Sequence, residues 1–300
     1  MPTLAERAAK GRRVLVVGIS INLLLAVVKI SVGWFGNADA LIADGLESTL
    51  DVFSSLMIWV ALKIAERPPD SDHPYGHGKI ESLAGVGGAL LLLVAGSLVA
   101  WNSLREIFIG AADRPGPAPF TLVVLILVVV LKEGLFRLSQ SRNREVGSRA
   151  LESDAWHHRS DALSSLAAAV GIFVALVGGS RFVSADDWAV LFSCVIIAVN
   201  GLLMLRASLG ELLDAQAPEA IIAQIMNTAR LVSGVESVEK CRVRKSGLTL
   251  LADLHVRVRG DVSVAEGHHI SHRVKDALME QDYHLSDITV HIEPSGEPPA

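Results

Sequence analysis

Long apolar runs alternate with short polar ones along the first two thirds of the chain. Ser82–Leu104 is a run of 23 residues without a charge. Pro115–Leu131, Ala162–Ser180 and Trp188–Leu205 are similar, and Val14–Val28 continues past Lys29 to Trp34. A bilayer core of about 30 Å takes about 20 apolar residues as helix. This pattern predicts membrane helices near 14–34, 39–62, 81–105, 119–138, 153–178 and 185–206. The second of these, through Ala40–Leu62, is apolar but carries Asp44, Glu47 and Asp51.

After residue 210 the period changes. Ile221, Ile222, Ile225 and Met226 fall on one helical face of Pro218–Leu231. Val235–Val243 and Leu248–Val258 read as two strands around a turn at Ser246-Gly247. In the second strand Leu250, Ala252, Leu254, Val256 and Val258 share a face by period two. Val264–Glu280 reads as a helix and Ile288–Ile292 as a third strand. The expected fold class is a six-helix α-helical membrane protein with a small C-terminal αββαβ domain of ferredoxin-like or metallochaperone-like type. Its parts are an N-terminal segment 1–13, a transmembrane domain 14–209, the αββαβ domain 210–293 and a flexible tail 294–300.

Charge sharpens this division. Residues 1–209 hold 18 acidic and 18 basic side chains, and residues 210–300 hold 14 and 9. Neither part is basic, which argues against a nucleic-acid partner. Lys and Arg gather in one set of loops, with Lys132 counted among them, which predicts that both termini are cytoplasmic. The multi-pass protein is expected in the inner (plasma) membrane. Two distant cysteines, Cys194 and Cys241, form no CxxC pair and give no disulfide or thiolate cluster.

The candidate chemistry lies where charge enters the membrane. An ionisable residue at the centre of a membrane helix costs about 2.5–3.5 kcal/mol on insertion scales. Helix two carries Glu47 and Asp51 and helix five carries His157 and Asp161, each pair spaced i, i+4 and so on one face. Opposed, the two faces offer three carboxylates and one imidazole, a four-ligand cage for a divalent transition metal. Polar packing alone would not need two matched pairs. Asp44, one turn before Glu47, reads as a supporting residue or a cap. The loop after helix two offers Asp70, His73 and His77. The tail offers Glu239, His255, His268, His291 and Glu293, among further histidines.

The segments ALIADGLESTLDVFSS (40–55), DSDHPYGHGKIESLAG (70–85) and DAWHHRSDALSS (154–165) resemble the cation diffusion facilitator family, nearest its bacterial zinc/iron-type exporters. The resemblance covers about residues 10–293. It implies a homodimer in the lipid bilayer that exchanges cytosolic divalent metal for protons. It places Glu47, Asp51, His157 and Asp161 at the transport site, and Asp70, His73 and His77 at the loop site. It also places Glu239, His255, His268, His291 and Glu293 at a tail site on the dimer contact, and Lys79 and Asp214 as an inter-helix ion pair. Glu47 stands where that family usually has His or Asp, Glu239 where His is frequent, and Glu293 where Asp is. Zn²⁺ is the first expected cargo. The oxygen-rich cage brings Mn²⁺ and Fe²⁺ into range. An enzyme is not expected: HExxH is absent and no Ser or Cys nucleophile pairs with a His near the cage. The alternative is a membrane-bound metal sensor without transport.

Overall fold

A computed structural model describes residues 4–65, 67–109, 116–146, 149–178, 182, 185–281 and 283–296. Within these, the side chains of 4–15, 17–18, 54–55, 109, 135, 138–146 and 149–158 lie outside the description. His157 is among them.

Six long helices come first: α1 (Leu4–Phe35), α2 (Asp39–Ala65), α3 (Lys79–Ile109), α4 (Pro119–Val146), α5 (Arg149–Gly178) and α6 (Ala185–Leu212). Each extends past its apolar run, because a helix continues into the aqueous layer until a breaker stops it. Among the described residues four of the six, α2, α3, α5 and α6, are long and apolar enough to cross a membrane. The described apolar part of α1, Ile19–Phe35, is shorter. The chain separates into two compact units. One comprises Arg13–Met57 and Gly85–Leu205, and the other Met1–Arg12, Ile58–Ala84 and Arg206–Ala300.

In the membrane unit, close approach is carried by small residues, the usual device where lipid removes the hydrophobic drive between helices. A Cβ on Gly45 would lie 2.7 Å from Ile30 Cγ1, so α1 and α2 touch there. Ala168, Ala169 and Ile172 of α5 pack with Leu41 of α2, Leu125 of α4 and Val190 of α6 in one buried cluster. Outward side chains such as Leu24, Leu98, Leu127 and Leu203 are exposed, as lipid-facing positions should be. The start of α2 is capped from another helix. Asp186 Oδ2 on α6 accepts the Asp39 and Ala40 N–H groups at 2.7 and 3.3 Å.

The second unit holds the tail domain: α7 (Glu219–Arg230), β1 (Ser237–Ser246), β2 (Thr249–Val258), α8 (Val264–Met279) and β3 (Leu285–Pro294). The strand order is β1-β2-β3, with β1–β2 antiparallel and β2–β3 parallel. Helix α8 makes the crossover that a parallel pair requires. It begins on an N-cap, Ser263 Oγ accepting from the Glu266 N–H at 3.2 Å. Ala252, Leu254, Val256 and Val258 are all buried against Ile225, Ile270, Val274 and Leu278. The period-two face of the sequence is thus the core face, and the expected αββαβ order is the observed one. Strand β3 is longer than the expected Ile288–Ile292. Its parallel register with β2 runs from Leu285 to Pro294.

Candidate metal transport site

Of the four candidate cage residues, one acid from each helix is buried. Glu47 on α2 is 6% exposed and Asp161 on α5 is 5%. Ser164 of α5 donates to Glu47 Oε2 at 2.7 Å, which ties the two helices beside these acids. Glu47 lies within electrostatic reach of Asp44, Asp51 and Asp161. Asp51, one turn after Glu47, is half-buried. His157 falls one turn before Asp161 on α5, outside the described side chains. Asp44 stands apart as a supporting residue. Both its carboxylate oxygens accept from Ser165 Oγ, at 2.8 and 2.9 Å, and Oδ2 pairs with Lys29 Nζ at 2.7 Å. Lys29 also donates to Ser48 Oγ at 3.1 Å.

The structure corrects one reading. Lys132 was expected among the loop cations that orient the chain. It is instead fully buried on α4, with Nζ 2.5 Å from Asp161 Oδ2 and 3.2 Å from Asn22 Oδ1. Its sequence neighbours hid this. Glu133 and Arg137 follow it as an exposed i, i+4 pair and make the segment resemble a helix end in water. The usable signal was distance: Lys132 lies 13 residues into α4, about 20 Å along the helix.

In the loop between α2 and α3, His73 Nδ1 and His77 Nε2 approach Asp70 at 3.2 and 3.4 Å. The donor atoms of the three residues all lie within 4.8 Å of one another. The His73 backbone N–H, bonded to Asp70, holds that carboxylate below its usual range. It is therefore charged at neutral pH and available to a cation. The loop ends at Lys79, whose ammonium meets the end of α6. It donates to the Glu211 carbonyl at 2.6 Å and pairs with Asp214 Oδ1 at 2.6 Å. Asp214 has φ 57°, the left-handed conformation that ends a helix. Arg244 adds a second cation at 3.2 Å, and Lys245 pairs with Glu211 at 2.6 Å. The β1–β2 turn presses on the loop. Gly247 has φ 60°, and a Cβ on it would meet the Gly78 carbonyl oxygen at 2.9 Å.

On the tail sheet, the face opposite the core carries the candidate ligands. His255 and His291 are register partners on β2 and β3. Glu293 Oε1 lies 2.6 Å from His255 Nδ1 and 3.6 Å from His291 Nε2. These three form a group with all donor atoms within 4.8 Å. The bond to His255 holds Glu293 below the ordinary carboxylate value. Glu239 sits at a register shift between Val238 and Lys240 of β1, where a bulge re-aims a side chain. It meets Arg257 at 2.6 Å, and Arg257 Nε lies 3.9 Å from Glu293. His268 instead meets His272 of α8 edge to face, ring centroids 4.5 Å apart. The Cys241 thiol is pushed up to about 11 by burial, so it offers no thiolate at neutral pH.

A further cluster, Asp39, Glu106 and Asp187, gathers at the start of α2, the end of α3 and the start of α6. It escaped the sequence reading because its members are distant in the chain and none repeats at helical spacing.

Comparison with known proteins gives these geometries a context. Residues 15–213 match the cation efflux transmembrane domain, and residues 217–295 match the cation efflux protein cytoplasmic domain. Metal tolerance protein C1 of Arabidopsis thaliana is 31% identical over 299 residues. The alignment takes in 95% of this chain, which spans only 63% of that relative's length. The manganese efflux system protein MneP of Bacillus subtilis is 26% identical over 294 residues, covering 97% of this chain and 98% of the relative. The solved MamM-CTD structure is 28% identical, with TM-score 0.25, over 25% of this chain and 96% of that one. The family consists of transporters, not enzymes. With both of its domains present over nearly the whole described length, the chain belongs to the cation efflux family, the cation diffusion facilitators.

Proposed function

We propose that this protein exports divalent transition metal from the cytoplasm in exchange for protons, as a homodimer in the inner membrane with both termini cytoplasmic. The cargo is held by Glu47, Asp51, His157 and Asp161. The observation that carries this reading is the burial of Glu47 and Asp161 at one α2–α5 contact, bridged by Ser164. Buried acids at membrane depth persist where function requires them. Metal and protons compete for the same donor atoms, because a ligand must be deprotonated to bind. A cage that alternates between the two sides of the membrane therefore exchanges one for the other along their gradients.

Three carboxylates to one imidazole suit harder ions. Two relatives carry manganese efflux in their names. Mn²⁺ accordingly takes precedence over Zn²⁺ as the cargo, with Fe²⁺ between them. Asp70, His73 and His77 form a surface metal site. His255, His291 and Glu293 form a tail site, completed across the dimer by His268 of a second copy.

The test is flux into proteoliposomes of the full chain, with Mn²⁺, Fe²⁺ and Zn²⁺ in turn and an imposed pH gradient. Uptake that follows the gradient and reverses with it supports proton exchange. Uptake indifferent to the gradient would refute it. Metal binding without any flux would favour the sensor.

A further inference from the structure

Two ammonium groups lie inside the membrane unit, and they are wired differently. Lys29 answers Asp44, whose two oxygens are also taken by Ser165. That pair involves no cage carboxylate. Lys132 answers Asp161, one of the proposed cargo ligands, at 2.5 Å. Its other hydrogen bond goes to the neutral Asn22, itself buried. Lys132 has no exposed surface. It ends the apolar run of α4 and is followed by the exposed Glu133 and Arg137, yet its own ammonium is turned inward. It lies within electrostatic reach of Asp51 as well. The oxygen it contacts is one that a bound metal ion would take.

The charges bear this out as a design for a divalent ion. Glu47, Asp51 and Asp161 carry three negative charges when ionised. Lys132 leaves two, which one divalent cation balances. A bare cage of three carboxylates in a low dielectric would bind such an ion more tightly and release it more slowly.

We infer that Lys132 is the tethered counter-cation of the transport site: it neutralises Asp161 while the cage is empty, and yields Asp161 Oδ2 to the incoming divalent ion. Loading is then an exchange of cations on one carboxylate oxygen. The return of the empty carrier moves a cage whose charge is already partly neutralised. This inference rests on the cage reading given above. It makes Lys132 a positioning residue that sets affinity, not a ligand.

The experiment measures the metal dependence of Mn²⁺ flux in proteoliposomes for Lys132→Met, Lys132→Arg and Asp51→Ala. Lys132→Met removes the charge and keeps the stem. Its KM should fall about tenfold and its kcat should fall with it, because release from an uncompensated cage is slow. Lys132→Arg keeps the charge and can grip Asp161 through two N–H groups. Its KM should rise about tenfold with kcat within about threefold of the parent. If Lys132→Met does not fold, the Arg variant decides alone. An unchanged KM in the folded Lys132 variants overturns the counter-cation and leaves Lys132 as helix packing. Normal flux in Asp51→Ala overturns the cage reading instead, so the two failures are distinct.

Discussion

At the membrane cage the paired side chains of Asp161 and Lys132 are 7% and 0% exposed. On the tail sheet the paired side chains of Glu293 and Arg257 are 21% and 23% exposed, at 3.9 Å. Both places set carboxylates against a built-in cation. Only the first lies where water cannot share the charge. Exchanging a buried pair for a metal ion changes the energy of the whole cage. Exchanging a wetted pair changes little, since the medium already screens it. On the proposed function, the same donor chemistry would serve a transport site in one region and a modest binding surface in the other.

That contrast can be broken most severely at Asp161. Asp161→Ala removes a ligand and leaves Lys132 buried without its carboxylate. Removing one partner of a buried pair costs about 3–5 kcal/mol. We expect Mn²⁺ flux to be abolished and the melting temperature to fall, with Asp161→Ala/Lys132→Met recovering stability but not transport. Thermal unfolding in detergent and flux in vesicles measure the two effects separately. Flux retained in Asp161→Ala would place the cargo elsewhere.

A gentler change tests the donor set. Glu47→His replaces one oxygen donor with nitrogen and should move preference from Mn²⁺ toward Zn²⁺ by about tenfold, a ligand-softness effect. Competition between the two ions in the flux assay reads it. Preference unchanged would mean that Glu47 does not touch the ion.

On the tail, Arg257→Ala releases Glu239 and Glu293 from their guanidinium. Metal affinity of the full chain at the tail should rise a few-fold, with Mn²⁺ flux through the membrane cage within about twofold of the parent. Calorimetry alongside flux checks both. A large loss of flux would mean that the tail sheet acts strongly on the membrane site.

The smallest effect belongs to Lys79 and Asp214, whose side chains are 37% and 46% exposed. After screening, such a pair contributes at most about 1 kcal/mol. Lys79→Asp and Asp214→Lys should each weaken transport modestly, and the double swap should restore part of it. The hydrogen bond from Lys79 holds Asp214 below its ordinary value of 3.8. A carboxylate lowered in the fold stabilises above its unfolded value and loses that contribution as pH falls through the lowered one. The pair should therefore be insensitive to pH from 8 down to about 5. A swap phenotype that changes across that range would show that another titrating group governs the effect.

Much of this was legible in the sequence where the signal is local. The face Ala252–Val258 reads directly from period two, since alternate strand residues share a side. Asp70, His73 and His77 sit within eight residues, so a loop gathers them whatever the rest of the fold does. Glu47, Asp51 and Asp161 stand out because charge is costly among apolar neighbours. What was not legible depends on distant partners. Lys132 looks like a helix end until α5 brings Asp161 against it. Asp186 looks like an N-terminal acid of its own helix, yet its carboxylate caps α2. Glu239 is turned toward Arg257 by a bulge, a register event that residue types do not announce. Lys79 and Asp214 lie 135 positions apart, and only the family resemblance joined them in advance.

On the proposed function the cargo sits between α2 and α5, among Glu47, Asp51, His157 and Asp161. Anomalous diffraction from crystals of the full chain soaked in Mn²⁺ tests it most directly. A strong anomalous peak bonded to those side chains is expected, with the Lys132 ammonium withdrawn from Asp161 Oδ2. Peaks confined to the Asp70–His77 loop and the tail sheet, with Lys132 still on Asp161, would contradict it.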